Sequence, residues 1–201
     1  MSALLPPNVA ESALSQQLLK AGLERIHQGK VRDTYALPHY PELRLVVTTD
    51  RISIFNFVLP VLIPDKGKIL NAMTVFWLKE VFPDIKHHLV AAGSHIIKYL
   101  PSNLRKDLTL PERAVVVKTL NMIPVECIVR GYLTGSGWRE YQEHGTLWNK
   151  KLPEGLHDGS LLPVPVFTPT NKAQQGHDLP LTKSLVSRTY GTWLEKTSLE
   201  Y

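Results

Sequence analysis

Residues 24–49 constrain the fold most. Glu24–His27, Val31–Leu37 and Leu43–Thr49 are short extended runs, separated only by Gln28-Gly29 and by the turn-forming Pro38-His-Tyr-Pro41. Short β-rich segments joined by Gly and Pro punctuation predict an antiparallel meander. Helical spacing flanks it. Residues 12–21 carry a Leu14, Leu18, Leu19 stripe, with Ser12 placed to cap and Gly22 to stop the helix. Residues 68–82 place Ile69, Ala72, Met73, Phe76 and Trp77 on one side, before Pro83. Residues 113–120 and 122–132 are β-rich runs with charges embedded in them. A further helix is predicted from near Ser136 to about Gly145, and another from Leu181 onward, weakened at Gly191. The Pro- and Gly-rich stretch 149–166 predicts a surface loop. Sheet and helices segregated in this way predict an α+β chain.

With 201 residues, 43% hydrophobic and 20% charged, the composition is that of a folded globular protein rather than a disordered or fibrous one. No apolar run is long enough for a membrane span, and the N-terminus lacks the pattern of a secretory signal. The single cysteine, Cys127, lies in an apolar run that predicts a small core residue in a reducing compartment. A cytoplasmic location is expected. The net charge of +5 favours anionic partners. The basic residues are scattered rather than massed and the aromatics are not interleaved with them, which points to phosphorylated small molecules rather than nucleic acid. The eight histidines show no metal-type spacing.

Four segments can carry chemistry. In Gly29-Lys-Val-Arg-Asp33, between two predicted strands, a glycine permits close backbone approach and Lys30 and Arg32 can balance phosphate charge. Read by itself, it is equally a surface turn with solvated charges. Asp50-Arg-Ile-Ser-Ile-Phe55 follows a strand, where Asp50 and Ser53 could be aimed at a ligand or simply close a turn. In Met122–Ser136, Glu126 and Arg130 lie four apart in a predicted continuous strand and so share a face. Charges buried there need a partner or a ligand. The segment opens through Gly131 and Gly135 to Ser136 at a predicted helix start, a reasonable phosphate site or an ordinary N-cap. The last segment, Phe167–Asp178, clusters Lys172, His177 and Asp178 in a polar loop.

Taken together and in this order, the four segments resemble the phosphoribosylaminoimidazole-succinocarboxamide synthase (SAICAR synthetase) family of purine biosynthesis. Met122–Ser136 resembles its first signature, including Pro124, Glu126, Arg130, Gly135 and Ser136. Ile54 and Asn56 stand where the family usually has Ala and Asp, and the family's later Asp-x-Lys…Glu-Phe-Gly signature is absent. The resemblance therefore implies a chain lacking a C-terminal portion. It further implies a sheet lobe over residues 1–121, a partial second lobe over 122–201, and a kinase-like nucleotide cleft. The implied activity is an ATP- and Mg²⁺-dependent ligation of L-aspartate to carboxyaminoimidazole ribonucleotide through an acyl phosphate; a non-catalytic ATP-binding fragment is the alternative. By resemblance, Gly29, Lys30, Val31 and Arg32 cradle the ATP phosphates. Glu126, Lys172 and Asp178 lie by the nucleotide, and Asp50, Ser53, Glu126, Arg130, Gly135 and Ser136 face the ribonucleotide. Lys30, Asp50 and Arg130 are the catalytic candidates, while the main metal ligands fall to the missing part. A basic nucleic-acid-binding domain and a kinase-like phosphotransferase are the other classes considered. Exposed apolar surface is expected where a missing part would pack.

Overall fold

A computed structural model describes residues 13–54, 57–172 and 179–200. The chain divides into two compact units, Met1–Asn121 and Met122–Tyr201. Ser12 and Asp178 lie outside the described residues, as do Phe55, Asn56 and His177.

The first unit opens with helix α1 (Ala13–Lys20), which ends before Gly22 in a left-handed conformation (φ 86°). Strands β1 (Arg25–Gln28), β2 (Arg32–Ala36) and β3 (Leu43–Thr48) form the expected antiparallel meander. A hairpin of β4 (Arg51–Ile54) and β5 (Phe57–Leu62) follows, then helix α2 (Lys66–Phe76), whose end widens into a π-helical turn over Trp77–Val81. Strand β6 (Leu89–Ala92), two 3₁₀ turns (Gly93–Tyr99 and Ser102–Leu104), the short helix α3 (Leu110–Arg113) and β7 (Ala114–Lys118) complete the unit. The five-stranded sheet runs β1-β2-β3-β7-β6, antiparallel throughout.

Both faces of the sheet are covered. Leu45, Val47, Tyr35, Val116 and Ala114 meet α1 through Leu18, and the 3₁₀ turns through Ile96, Leu100 and Leu104. On the other face Ala92, Val115 and Val117 pack with Val46, Leu89 and Val75 of α2. This two-sided burial explains why β7 reads Ala-Val-Val-Val, a continuous apolar run rather than an alternation.

Helix α2 corrects the simple reading of its apolar stripe. Ile69, Met73, Phe76 and Trp77 are 47–60% exposed, and Ala72 is exposed as well. The packed side instead uses Gly67 and Asn71. A Cβ on Gly67 would collide with the Thr48 carbonyl, and the Asn71 amide donates to the Glu112 carbonyl oxygen (3.1 Å). The helix lies so close to β3 that only a small face fits beneath it.

The second unit is built of short pieces. These are β8 (Val125–Glu126), β9 (Val129–Leu133), α4 (Gly135–His144), a hairpin of β10 (Thr146–Leu147) and β11 (Lys150–Lys151), β12 (Ser160–Phe167), β13 (Thr170–Asn171), α5 (Lys183–Tyr190) and α6 (Trp193–Glu200). Strand β9 pairs with β12, and β8 with β13. Leu133, Leu147, Leu152, Leu162 and Val166 form one core with Trp138, Tyr141 and Trp148; Phe167, Val186 and Leu194 form another.

Four expectations are modified here for physical reasons. The strand predicted over 122–132 breaks at Cys127-Ile128, because its halves pair with different partners. Cys127 consequently lies exposed at the break, not in a core. Residues 160–166 of the expected loop are strand despite Pro163 and Pro165. The β9–β12 register slips between Leu161 and Val166, so neither proline has to donate to the ladder. The expected helix from Leu181 divides at Gly191, whose φ is 89°. Among the described residues no helix is long and apolar enough to cross a membrane.

Candidate functional site

In the first unit the candidates gather at the β1–β2 hairpin and at the start of β4. Gln28 pairs with Asp33, so Gly29–Arg32 is the loop. The Gly29 N–H donates to the Arg32 carbonyl oxygen at 2.7 Å. A Cβ at position 29 would come within 2.9 Å of that same oxygen. Glycine is thus required by close approach of the loop to itself.

Beneath the loop lies Arg51, fully buried. Its Nε donates to the Lys30 carbonyl oxygen (3.1 Å) and its Nη2 to that of Gly29 (2.9 Å). Both terminal nitrogens reach the Asp33 carboxylate, with Nη1 to Oδ2 at 3.1 Å. Asp33 is also fully buried, and accepts from Ser15 Oγ at 2.9 Å. A charge pair this deep holds only when its remaining polar atoms are satisfied, and the loop carbonyls supply those acceptors. The Val31 carbonyl receives the Thr49 N–H and hydroxyl, each at 2.9 Å. Only the segment Asp50–Phe55 as a whole pointed towards Arg51; nothing in its own spacing marks it as buried.

Lys30 and Arg32 are exposed, and Val31 is half-buried. The His88 imidazole is held below its ordinary value by burial, then by His87 and by the Arg32 guanidinium. The positive charge at the loop is therefore felt by its neighbours.

Asp50 is engaged structurally. Its Oδ1 accepts the Gly67 N–H in the first turn of α2 (2.8 Å), and its Oδ2 lies 3.2 Å from Arg113 Nη1. Carboxylates are favoured at helix N-termini, so Asp50 fixes α2. Ser53 sits half-buried in β4, opposite Val58.

In the second unit Arg130 stands on β9, opposite Val166. Its Nε donates to Thr168 Oγ1 and its Nη2 to Ser136 Oγ, each at 3.2 Å, and its guanidinium lies 5.9 Å from the centre of the Trp148 ring. Gly135 (φ 59°) and Ser136 open α4, but the cap residue is Thr134, so Ser136 is inside the first turn rather than the N-cap. Trp148 is itself fixed, its indole N–H shared between the carbonyls of Pro169 (3.1 Å) and Leu181 (3.2 Å).

Glu126 does not face Arg130. The break after β8 separates them, and Glu126 pairs with Lys172 across the β8–β13 ladder (Nζ to Oε1, 3.0 Å), both substantially exposed. Arg130–Ser136 and Glu126–Lys172 are thus two separate groupings. Among the described residues no three His, Cys, Asp or Glu side chains gather as a metal site. Asp50 and Glu126 are each tied to a cationic side chain, so the magnesium implied by the resemblance finds no oxygen cage among the described residues.

Comparison with known proteins gives a concordant result. The SAICAR synthetase family model matches residues 25–200. The phosphoribosylaminoimidazole-succinocarboxamide synthase of Thermodesulfovibrio yellowstonii is 46% identical over 161 residues, covering 80% of this chain and 53% of that protein. Its counterpart in Schizosaccharomyces pombe is 38% identical over 188 residues, covering 94% and 62%. A solved structure of the SAICAR synthase of Saccharomyces cerevisiae, complexed with SAICAR, superposes with a TM-score of 0.77 at 35% identity, over 89% of this chain and 59% of that one. The chain spans about half to three-fifths of the length of these relatives.

Proposed function

This chain belongs to the SAICAR synthetase family, and from that premise we propose that it contributes the phosphate-holding and ribonucleotide-holding elements of an ATP-dependent carbon–nitrogen ligase. The substrates are carboxyaminoimidazole ribonucleotide and L-aspartate, and the product is the succinocarboxamide. The observation that carries this reading is the family match over residues 25–200, which contains every candidate residue.

The chemistry explains the residue types. A carboxylate is a poor acyl donor because oxide would have to leave. A carboxylate oxygen of the ribonucleotide attacks the γ-phosphorus of ATP, giving an acyl phosphate and ADP. The aspartate amine then attacks the acyl carbon, phosphate leaves with the C–O electron pair, and the nitrogen loses a proton. These species are all anions, so positioned cations and N–H donors supply most of the stabilisation. Magnesium, when bound, neutralises phosphate charge; the described residues hold no cage for it.

In this reading the Gly29–Arg32 loop, with Lys30 and Arg32, holds the ATP phosphates. Glu126 and Lys172 lie by the nucleotide. Arg130 and Ser136 take the ribonucleotide phosphate, exchanging their mutual bond for bonds to its oxygens, with Gly135 allowing the approach. Asp50 supports the site by fixing α2, and Ser53 lies towards the imidazole. Incubating the protein with ATP, Mg²⁺, aspartate and the carboxylated ribonucleotide, and assaying succinocarboxamide by mass spectrometry, tests the reading. Product establishes the ligase. Nucleotide binding without product assigns the chain a binding role alone. Neither product nor binding refutes both.

A further inference from the structure

We propose that Arg51 is the positioning residue of the Gly29–Arg32 loop, its buried guanidinium turning the loop's carbonyls inward so that the peptide N–H groups face a polyphosphate. The inference rests on the nucleotide reading above and adds a residue and a device to it.

All four carbonyls in the loop are engaged by the protein's own donors: Gly29 and Lys30 by Arg51, Val31 by Thr49, and Arg32 by the Gly29 N–H. None of the peptide bonds is cis among the described residues. In a planar trans peptide the C=O and the following N–H point in opposite directions. Drawing the oxygens of residues 29, 30 and 31 inward therefore directs the N–H groups of Lys30, Val31 and Arg32 the other way. An anion meeting this loop encounters positive ends of peptide dipoles, and the oxygens that would repel it are held in the interior.

Arginine is specifically suited to this task. One planar fork reaches three acceptors at once, the carbonyls of Gly29 and Lys30 and the carboxylate of Asp33. Asp33 offsets the cost of burying that charge, and is held by Ser15 on α1 and flanked by Arg25 on β1 at 3.9 Å. Arg51 is fully buried, so it acts through the loop and does not touch the ligand itself. A lysine at position 51 keeps the charge beside Asp33 but concentrates its donors on one nitrogen at the end of a flexible stem, and does not reproduce the spaced Nε and Nη2 contacts to the two carbonyls together with the two-point contact to Asp33.

The test is calorimetric titration of the protein with inorganic tripolyphosphate and with ADP, for wild type, Arg51→Lys and the core control Ile96→Val. The expected result is a loss of about tenfold or more in affinity for both ligands in Arg51→Lys, the scale of one or two lost hydrogen bonds to charged groups. Ile96→Val should stay within about twofold of wild type. A wild-type NMR titration needs no variant: tripolyphosphate should move the amide resonances of residues 30–32 and leave the Arg51 Nε–H nearly in place. Arg51→Lys binding as tightly as wild type, or an Arg51 Nε–H that moves more than the loop amides, overturns the positioning role while leaving the nucleotide reading intact. A wild-type chain that binds neither ligand overturns the nucleotide reading and this inference with it.

Discussion

The Gly29–Arg32 loop and the Arg130 corner both set cations beside small residues, yet they are held in opposite ways. The loop is fixed through its backbone, by a guanidinium with no exposure to solvent. The Arg130 side chain is half-exposed and held by two hydroxyls at 3.2 Å and an indole face. The first arrangement is preorganised and costly to disturb. The second resembles a placeholder, because a phosphate can replace a hydroxyl contact with little loss. On the function proposed above, a loop that reads phosphates through N–H groups needs the former, and a side chain that closes on a ligand needs the latter.

The sharpest attempt to break this contrast is Arg51→Met. It strands Asp33 as a buried carboxylate and removes two carbonyl partners, and should lower stability by about 3–5 kcal/mol in denaturant unfolding. A loss below about 1 kcal/mol would mean the pair is not buried in solution. Next comes Gly29→Ala. Its Cβ meets a backbone oxygen that has no rotamer to yield, so a cost of about 1–3 kcal/mol is expected, with weakened ADP binding in the same samples. Arg130→Lys should behave differently: stability within about 0.5 kcal/mol of wild type, as for other exposed polar contacts, but about tenfold weaker ribonucleotide binding through loss of the two-point grip. Equal stability losses in Arg51→Met and Arg130→Lys would erase the distinction.

The smallest effect concerns pH. Burial, His87 and Arg32 depress the His88 pKa in the folded chain, so the unfolded chain binds the proton more readily. That contribution to stability is present above the unfolded value of 6.5 and fades as pH falls through the lower folded value. Polyphosphate on the loop should offset the Arg32 charge and raise the His88 pKa, which an imidazole proton titration with and without tripolyphosphate will show.

The meander and the helices up to residue 82 are legible in the sequence because their signals are local: turn residues between β-rich runs, and helical spacing ended by Gly22 or Pro83. The second unit is less legible because its strands are defined by partners distant in sequence. Glu126 and Arg130 look like neighbours on one strand until Thr170 and Val166 claim them for different ladders. Likewise Pro163 and Pro165 predict a loop until a register slip makes room for them. The hairpin residues are legible in Gly29–Asp33, but Arg51 and Asp33 hold them through burial, which no spacing announces. The apolar stripe of α2 shows the same limit: its period is helical, while the close approach of Gly67 to Thr48 decides which side faces the sheet.

The most direct measurement is a crystal structure of this chain grown with ADP. Phosphate oxygens are expected to accept hydrogen bonds from the amides of Val31 and its loop neighbours, with Arg51 still donating to the carbonyls of Gly29 and Lys30. Phosphates bound away from this hairpin, or in direct contact with Arg51, would contradict it.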